Sequence, residues 1–266
     1  MKKVISRIYL ALVLFLLYAP IAFIAVFSFT KAKSLGNWTG FTTELYTNLF
    51  TGASAKAVNI ISALENTLLI ALVASVIATL LGTLAAIGIY YMTGRRKATM
   101  QFLNNIPMLN PDIITGVSLF LLFVALGVSQ GMVTVILAHV TFCTPYVVLN
   151  VMPKISQMNP NIYEAALDLG ATPMQALRKV LVPQLLPGMI SGFVLSFVMS
   201  LDDFAVTFFT RGSDGLETLS TFIYADARKG GLTPELKPLM TIIFLVILIA
   251  LIVFNIRSSR KNANNN

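Results

Sequence analysis

The sequence predicts an all-α membrane protein with six transmembrane helices and both termini in the cytoplasm (N-in and C-in). Three observations carry that reading. The 266 residues are 56% hydrophobic and only 11% charged, with a mean hydropathy of +0.81, whereas a soluble domain carries roughly 25% charged residues. Charge-free runs recur that are long enough for a helix to cross the bilayer, which takes ~20 residues. Lys and Arg concentrate in alternate loops, as the positive-inside rule requires.

The first span is the 23-residue run 8–30, preceded by Lys2, Lys3 and Arg7. It is longer than the apolar core of a signal peptide and lacks a small-x-small cleavage site, so it reads as a retained span. Trp38, Phe41 and Tyr46 follow, either as an interfacial anchor, the preferred reading, or as part of a short outer helix. The second span covers 66–93, where Ala78, Gly82 and Ala86 give a small-residue stripe fit for close helix contact. The stretch 98–153 contains one charge, Asp112, and is too long for a single crossing. It holds the third and fourth spans, with the turn at 127–131. The fifth and sixth spans are 180–201 and 238–256. The tail 262–266 is of low complexity and is expected to be disordered.

With the N-terminus inside, twelve basic residues fall on the inner side: Lys2, Lys3, Arg7, Arg95, Arg96, Lys97, Lys154, Arg178, Lys179, Arg257, Arg260 and Lys261. Seven fall outside: Lys31, Lys33, Lys56, Arg211, Arg228, Lys229 and Lys237. The net charge of +8 is thereby accounted for without a nucleic-acid partner, since no soluble basic domain is available to present a groove. The single cysteine, Cys143, lies inside the fourth span and has no partner for a disulfide.

Between the fourth and fifth spans lies a polar island, 159–187, on the cytoplasmic side. Asn159 is set to cap a helix with Pro160 at its first position, Gly170 to end it in the left-handed conformation, and Thr172 with Gln175 to form the capping box of a second helix that stops at Pro183. Helix, glycine elbow and helix is the expected form. The pattern Glu164, Ala165, Ala166, then Gly170, Val180 and Pro183 resembles the EAA loop of ABC importer permeases, here about 153–188. Val180 and Val182 stand where Ile and Leu are usual, which keeps the surface apolar. An amphipathic hairpin without a docking role is the plainer alternative.

Ionisable groups inside a bilayer cost on the order of 2.5–3.5 kcal/mol on insertion scales and are kept from lipid. All the intramembrane charges here are acidic: Asp112 after Asn110-Pro111, and Asp202 and Asp203 after Ser200 near the outer end of the fifth span. Acids without an intramembrane Lys or Arg suggest that a cation passes. The other readings stay open: Asp112 caps a helix restarted after Pro111, and Asp202 is a span terminus at the interface. His139 reads as a hydrogen-bonded packing residue rather than a metal ligand, no second His being present. Phe193, Phe197, Phe204, Phe208 and Phe209 read as helix packing and lipid contact.

Over nearly its full length the chain resembles the permease subunit of spermidine/putrescine importers, the PotC type. The resemblance rests on residues 37–43, 62–67, Pro111-Asp112-Ile113, 139–143, Leu195-Ser196-Phe197 and Ser200-Leu201-Asp202-Asp203. It implies a type I ABC importer (MetI-like) permease fold, with an N-terminal helix and outer loop over 1–61, a permease domain over 62–253 and a cytoplasmic tail over 254–266. It also implies roles in the substrate path for Asp112, Ser200, Asp202 and Asp203, and in ATPase coupling for Glu164, Ala165, Ala166, Asp168 and Gly170. Leu45 stands where the family carries an aromatic, so a substrate contact is not expected there.

The implied partners are a second, PotB-like permease, two PotA-like ATP-binding subunits, a PotD-like extracytoplasmic polyamine-binding protein and membrane lipid, in a bacterial inner membrane. The chain has no G-x-x-x-x-G-K-[ST] loop, so ATP is expected on a partner and no cofactor on this chain. Three rivals stand beside this reading. A related importer of another solute shares the loop, although an acid-lined route argues against an anion. A stand-alone carrier or channel would leave the island a mere linker. A membrane-embedded enzyme would need clustered nucleophile, base or metal ligands, which the sequence does not offer.

Overall fold

The computed structural model describes residues 2–32, 36–213 and 215–263, with side chains described for 6–32, 36–213, 215–249 and 252. Lys33 and the tail end 264–266 lie outside the described residues, as do the side chains of Lys2, Lys3, Arg257, Arg260 and Lys261. The described chain is helical: α1 (Lys2–Phe27), α2 (Glu44–Thr51), α3 (Ala55–Tyr91), α4 (Gly94–Leu109), α5 (Asp112–Ala125), α6 (Met132–Gln157), α7 (Ile162–Asp168), α8 (Pro173–Ala176), a π segment (Leu177–Leu181), α9 (Val182–Asp202), α10 (Ala205–Thr210), α11 (Leu219–Arg228) and α12 (Leu236–Ala263). α12 takes in Asn262 and Ala263 of the tail expected to be disordered.

Among the described residues four helical stretches are long and apolar enough to cross a membrane: Ser6–Phe27, Ala55–Tyr91, Met132–Gln157 and Pro173–Asp202. α4 and α5 qualify only as a pair bent by 106°, and Leu236–Ile249 is a shorter apolar helix. The expected third span is thus not a straight rod. The residue before a proline is driven out of the helical region, and the proline itself has no N–H; Asn110 accordingly sits extended at φ −77°, ψ 137°. The expected turn at 127–131 is present, with Gly127 at φ +67°.

Two contact units divide the chain, 1–62 with 223–266, and 63–222. In the first, Tyr18 of α1 meets Phe244 of α12 with ring centroids 6.3 Å apart. Phe29 stacks on Phe41 at 5.4 Å, Phe27 meets Trp38 edge-on at 6.1 Å, and Tyr46 Oη lies 2.7 Å from Ser28 Oγ. The aromatic set after the first span therefore packs against the end of α1, and Tyr46 belongs to a short helix, α2. Leu45 is buried.

The second unit is organised around α6. Lipid supplies no hydrophobic drive for helices to associate, so close backbone approach through small residues has to supply it. Gly188 and Gly192 of α9 face Val151 and Val147, where an added Cβ would lie 3.2 Å from each Cα. Cys143 Sγ and Ser196 Oγ each reach the other's carbonyl at 3.5 Å across the same seam. On the other side, the expected stripe of α3 is tight: Ala78 and Ala86 are fully buried, and a Cβ on Gly82 would fall 2.6 Å from Val147 Cβ.

Gly82→Val therefore cannot be absorbed by a rotamer change, because Thr144 O is also only 3.0 Å away. Overpacking costs roughly 1–3 kcal/mol. We expect a drop in Tm of the purified complex of several degrees and a lower yield, read by thermal size-exclusion chromatography. Gly88→Ala, with nothing within 4 Å, should match wild type.

Candidate functional site

Two helix breaks in the second unit form the site. α5 restarts after Pro111 with Asp112 in its first turn, where a carboxylate complements the helix dipole. α9 ends at Asp202, Asp203 turns the chain at φ −65°, ψ 132°, and α10 resumes at Ala205. The breaks are held side by side because α5 packs on α10: a Cβ on Gly116 would lie 3.0 Å from Ala205 O. Between them opens a cavity of about 630 Å³, lined by Pro111, Asp112, Phe142, Asp202, Asp203 and Phe204 among others. Three of the four acidic and hydroxyl residues read from the sequence thus share one cavity wall.

The three acids differ in their surroundings. Asp112 and Asp202 are exposed and make no hydrogen bond or ion pair with the described residues. The side chain of Asp203 is 5% exposed and accepts from the backbone N–H of Val206 at 3.2 Å, from that of Thr207 at 2.8 Å and from Thr207 Oγ1 at 2.8 Å. His139 Nε2 lies 3.4 Å from Asp203 Oδ2. Among the described residues no Lys or Arg pairs with these acids, as expected, but Asp203 has a histidine of α6 as its neighbour.

Ser200, read as part of the path, does not line the cavity. It is buried behind the wall, with Oγ 2.6 Å from His139 Nδ1. His139 is the hydrogen-bonded residue expected from its setting, its Nε2 lying 2.9 Å from Thr207 Oγ1. Thr207 escaped the sequence reading, though its position four residues after Asp203 is the spacing that lets a hydroxyl and an N–H of the next turn reach back to the carboxylate. Phe142 lines the cavity, and Phe204 both lines it and packs as expected, its ring centroid 5.4 Å from that of Phe208. Phe193 and Phe197 do pair, with centroids 6.1 Å apart.

The polar island forms the second candidate surface. Helix α7 begins at Ile162, two residues later than expected, since Asn159 caps a preceding turn: its Oδ1 accepts from Asn161 N–H at 3.0 Å and its carbonyl from Ile162 N–H at 3.2 Å. Pro160 sits in that turn. At the far end Gly170 adopts φ +85°; its N–H donates to Leu167 O at 2.9 Å and Ala171 N–H donates to Ala166 O at 3.1 Å, the paired bonds of a Schellman ending. The capping box of Thr172 and Gln175 is formed in both directions, at 3.1 and 3.4 Å.

Pro183 does not stop the second helix. The segment Pro173–Asp202 is one 30-residue helical stretch that widens at Leu177–Leu181 into a π turn, with Val182 N–H donating to Leu177 O. The wider turn comes immediately before the proline, which needs no donor at the start of a new α segment. The elbow is thereby joined directly to the helix that ends at Asp202. Glu164, Ala165, Asp168 and Gly170 are exposed and Ala166 is half-buried. Leu169, 89% exposed, and Met174, 69% exposed, add an apolar surface that the sequence reading did not single out. Tyr163 of α7 meets Tyr91 at the end of α3, centroids 5.8 Å apart.

Residues 78–259 match the model of the binding-protein-dependent transport system inner membrane components, and the chain belongs to that family. The spermidine/putrescine transport system permease protein PotC of Haemophilus influenzae is 37% identical over 246 residues, 92% of this chain and 93% of that protein. The putrescine transport system permease protein PotI of Escherichia coli K12 is 37% identical over 235 residues, 85% of this chain and 81% of that protein. Among solved structures, a bacterial ABC transporter involved in the import of the acidic polysaccharide alginate shares the fold, with TM-score 0.72 over 97% of this chain and 95% of that chain at 14% identity. The chain is a multi-pass inner-membrane transport subunit of an ABC importer, not an enzyme, and such an importer includes a second permease, an ATPase and a binding protein.

Proposed function

We propose that the chain forms half of the translocation path of an ATP-driven importer for polyamines, spermidine or putrescine. The observation that carries the reading is the pair of unpartnered carboxylates, Asp112 and Asp202, at adjoining helix breaks of one cavity. A polyamine presents ammonium groups separated by methylenes. The acids suit the first, through charge attraction that strengthens as water is excluded, and Phe142 and Phe204 suit the second. The names of the PotC and PotI relatives support the same cargo.

In this reading a second, PotB-like permease completes the path and a PotD-like binding protein delivers cargo from outside. Two PotA-like ATP-binding subunits dock on the EAA loop, where Glu164 and Asp168 offer charge, Ala165 and Ala166 permit close approach, and Leu169 and Met174 add apolar contact. Gly170 sets the angle of the lever. Closure of the ATPase pair then biases a two-state rocking of the helices through the continuous segment from Pro173 to Asp202.

The test is ATP-dependent uptake of labelled spermidine and putrescine by proteoliposomes holding this chain with its co-encoded partners. Wild type should accumulate a polyamine. Glu164→Ala should reduce uptake at least tenfold and break the stimulation of ATP hydrolysis by the loaded binding protein, with assembly unchanged on size exclusion. Uptake of a different solute with no polyamine transport would keep the importer and discard the cargo.

A further inference from the structure

We propose that His139 is a positioning residue of the translocation site: acting through Thr207, it fixes the Asp203 carboxylate in the cavity wall, so that only Asp112 and Asp202 are free to follow a moving cation. The inference rests on the reading of this cavity as the cargo path. Its basis is the direction of the hydrogen bonds. Thr207 Oγ1 donates its single hydrogen to Asp203 Oδ2 at 2.8 Å. At its 2.9 Å contact with His139 the same oxygen must then accept, which puts a hydrogen on Nε2. On the far side of the ring Nδ1 pairs with Ser200 Oγ, 2.6 Å away, which fixes the ring's orientation.

The bonds run from His139 to Thr207 and from Thr207 to Asp203, with Ser200 holding the other ring nitrogen and Nε2 itself 3.4 Å from Asp203 Oδ2. The chain of bonds crosses from α9 to α6 to α10 and back to the corner between α9 and α10. His139 is 1% exposed and Thr207 fully buried, so no solvent competes for these bonds. Ser220 Oγ donates to the Asp203 carbonyl at 2.7 Å, tying down the backbone of the same residue. A carboxylate that already accepts three hydrogen bonds, two of them from backbone, loses them by turning toward an ammonium group. Asp112 and Asp202 have no such bonds to lose. The site therefore combines one fixed acid with two mobile ones, and a single buried histidine on α6 separates the roles.

Carboxylate footprinting of the assembled importer in detergent tests this, using a water-soluble carbodiimide with an amine nucleophile and mass spectrometry. In wild type, Asp112 and Asp202 should be modified at least tenfold faster than Asp203. His139→Phe and Thr207→Val should each raise modification of Asp203 at least fivefold, and the double variant should add nothing further, the non-additivity of groups acting in one chain. His139→Gln, whose amide can bond Ser200 and donate to Thr207, should keep Asp203 protected. Equal reactivity of Asp203 and Asp202 in wild type, or an Asp203 that stays protected in both disrupted variants, overturns the proposal. Where His139→Phe does not assemble, the smaller change Thr207→Val decides. The labelling does not depend on cargo, so a wild type that transports no polyamine would sink the functional reading and leave the role of His139 standing.

Discussion

Asp202→Asn in the reconstituted importer is expected to lower polyamine uptake by about 30-fold at sub-saturating cargo. The change keeps the size of the side chain and removes its charge from a residue that lines the cavity without a protein partner, so the loss falls on the ammonium group alone. Loss of one partner from a close charge pair costs roughly 2–5 kcal/mol when buried. Asp202 is exposed to the cavity, which argues for the lower end, about 2 kcal/mol or 30-fold. Asp112→Asn should behave alike, and the double variant should leave no measurable uptake. ATP hydrolysis stimulated by the binding protein should persist in the single variants, because the EAA loop is untouched. Uptake within twofold of wild type in both single variants would remove the cavity from the path.

Gly170→Val is expected to abolish coupling with little effect on insertion. The elbow residue sits at φ +85°, while no atom comes within 4 Å of the position its Cβ would take. The obstacle is therefore conformational: a left-handed backbone costs an L-residue roughly 1–2 kcal/mol, and a β-branched residue tolerates it least. That strain is enough to reopen the Schellman ending and to change the angle between α7 and the stretch from Pro173 to Asp202. We expect at least a tenfold fall in uptake and loss of ATPase stimulation, with membrane levels of the chain near wild type. Gly170→Asn should recover most of the activity, because Asn enters the left-handed region readily. A fully active Gly170→Val would show that the elbow angle does not matter to coupling.

Much of this molecule was legible because local physics decided it. A glycine after a helix, a threonine three residues before a glutamine, and charge-free runs of bilayer length each answer to their near neighbours; the elbow and the capping box are found where expected, and four of the expected spans fall on helices long and apolar enough to cross a membrane. The stripe of Ala78, Gly82 and Ala86 was likewise readable, since only small residues let two helices touch in lipid. Prolines were read less well. Pro111, where a restarted helix was only one of the readings, bends a span by 106°, while Pro183 breaks nothing, because a π turn absorbs it. Whether a proline ends a helix depends on whether neighbouring segments satisfy the freed carbonyls, and that is not a local property.

The sequence by itself determined the class, the solvent, the elbow and the identity of the acids, because burial cost, caps and turn conformations act over a few residues. Only the tertiary structure decided how those acids differ. Asp202 and Asp203 are adjacent in sequence and equal in chemistry, yet one faces an open cavity and the other is held by Thr207 and His139. The partner that separates them lies 64 positions away, on α6. Such a difference arises from which helix packs against the corner, and no periodicity or spacing along the chain records it.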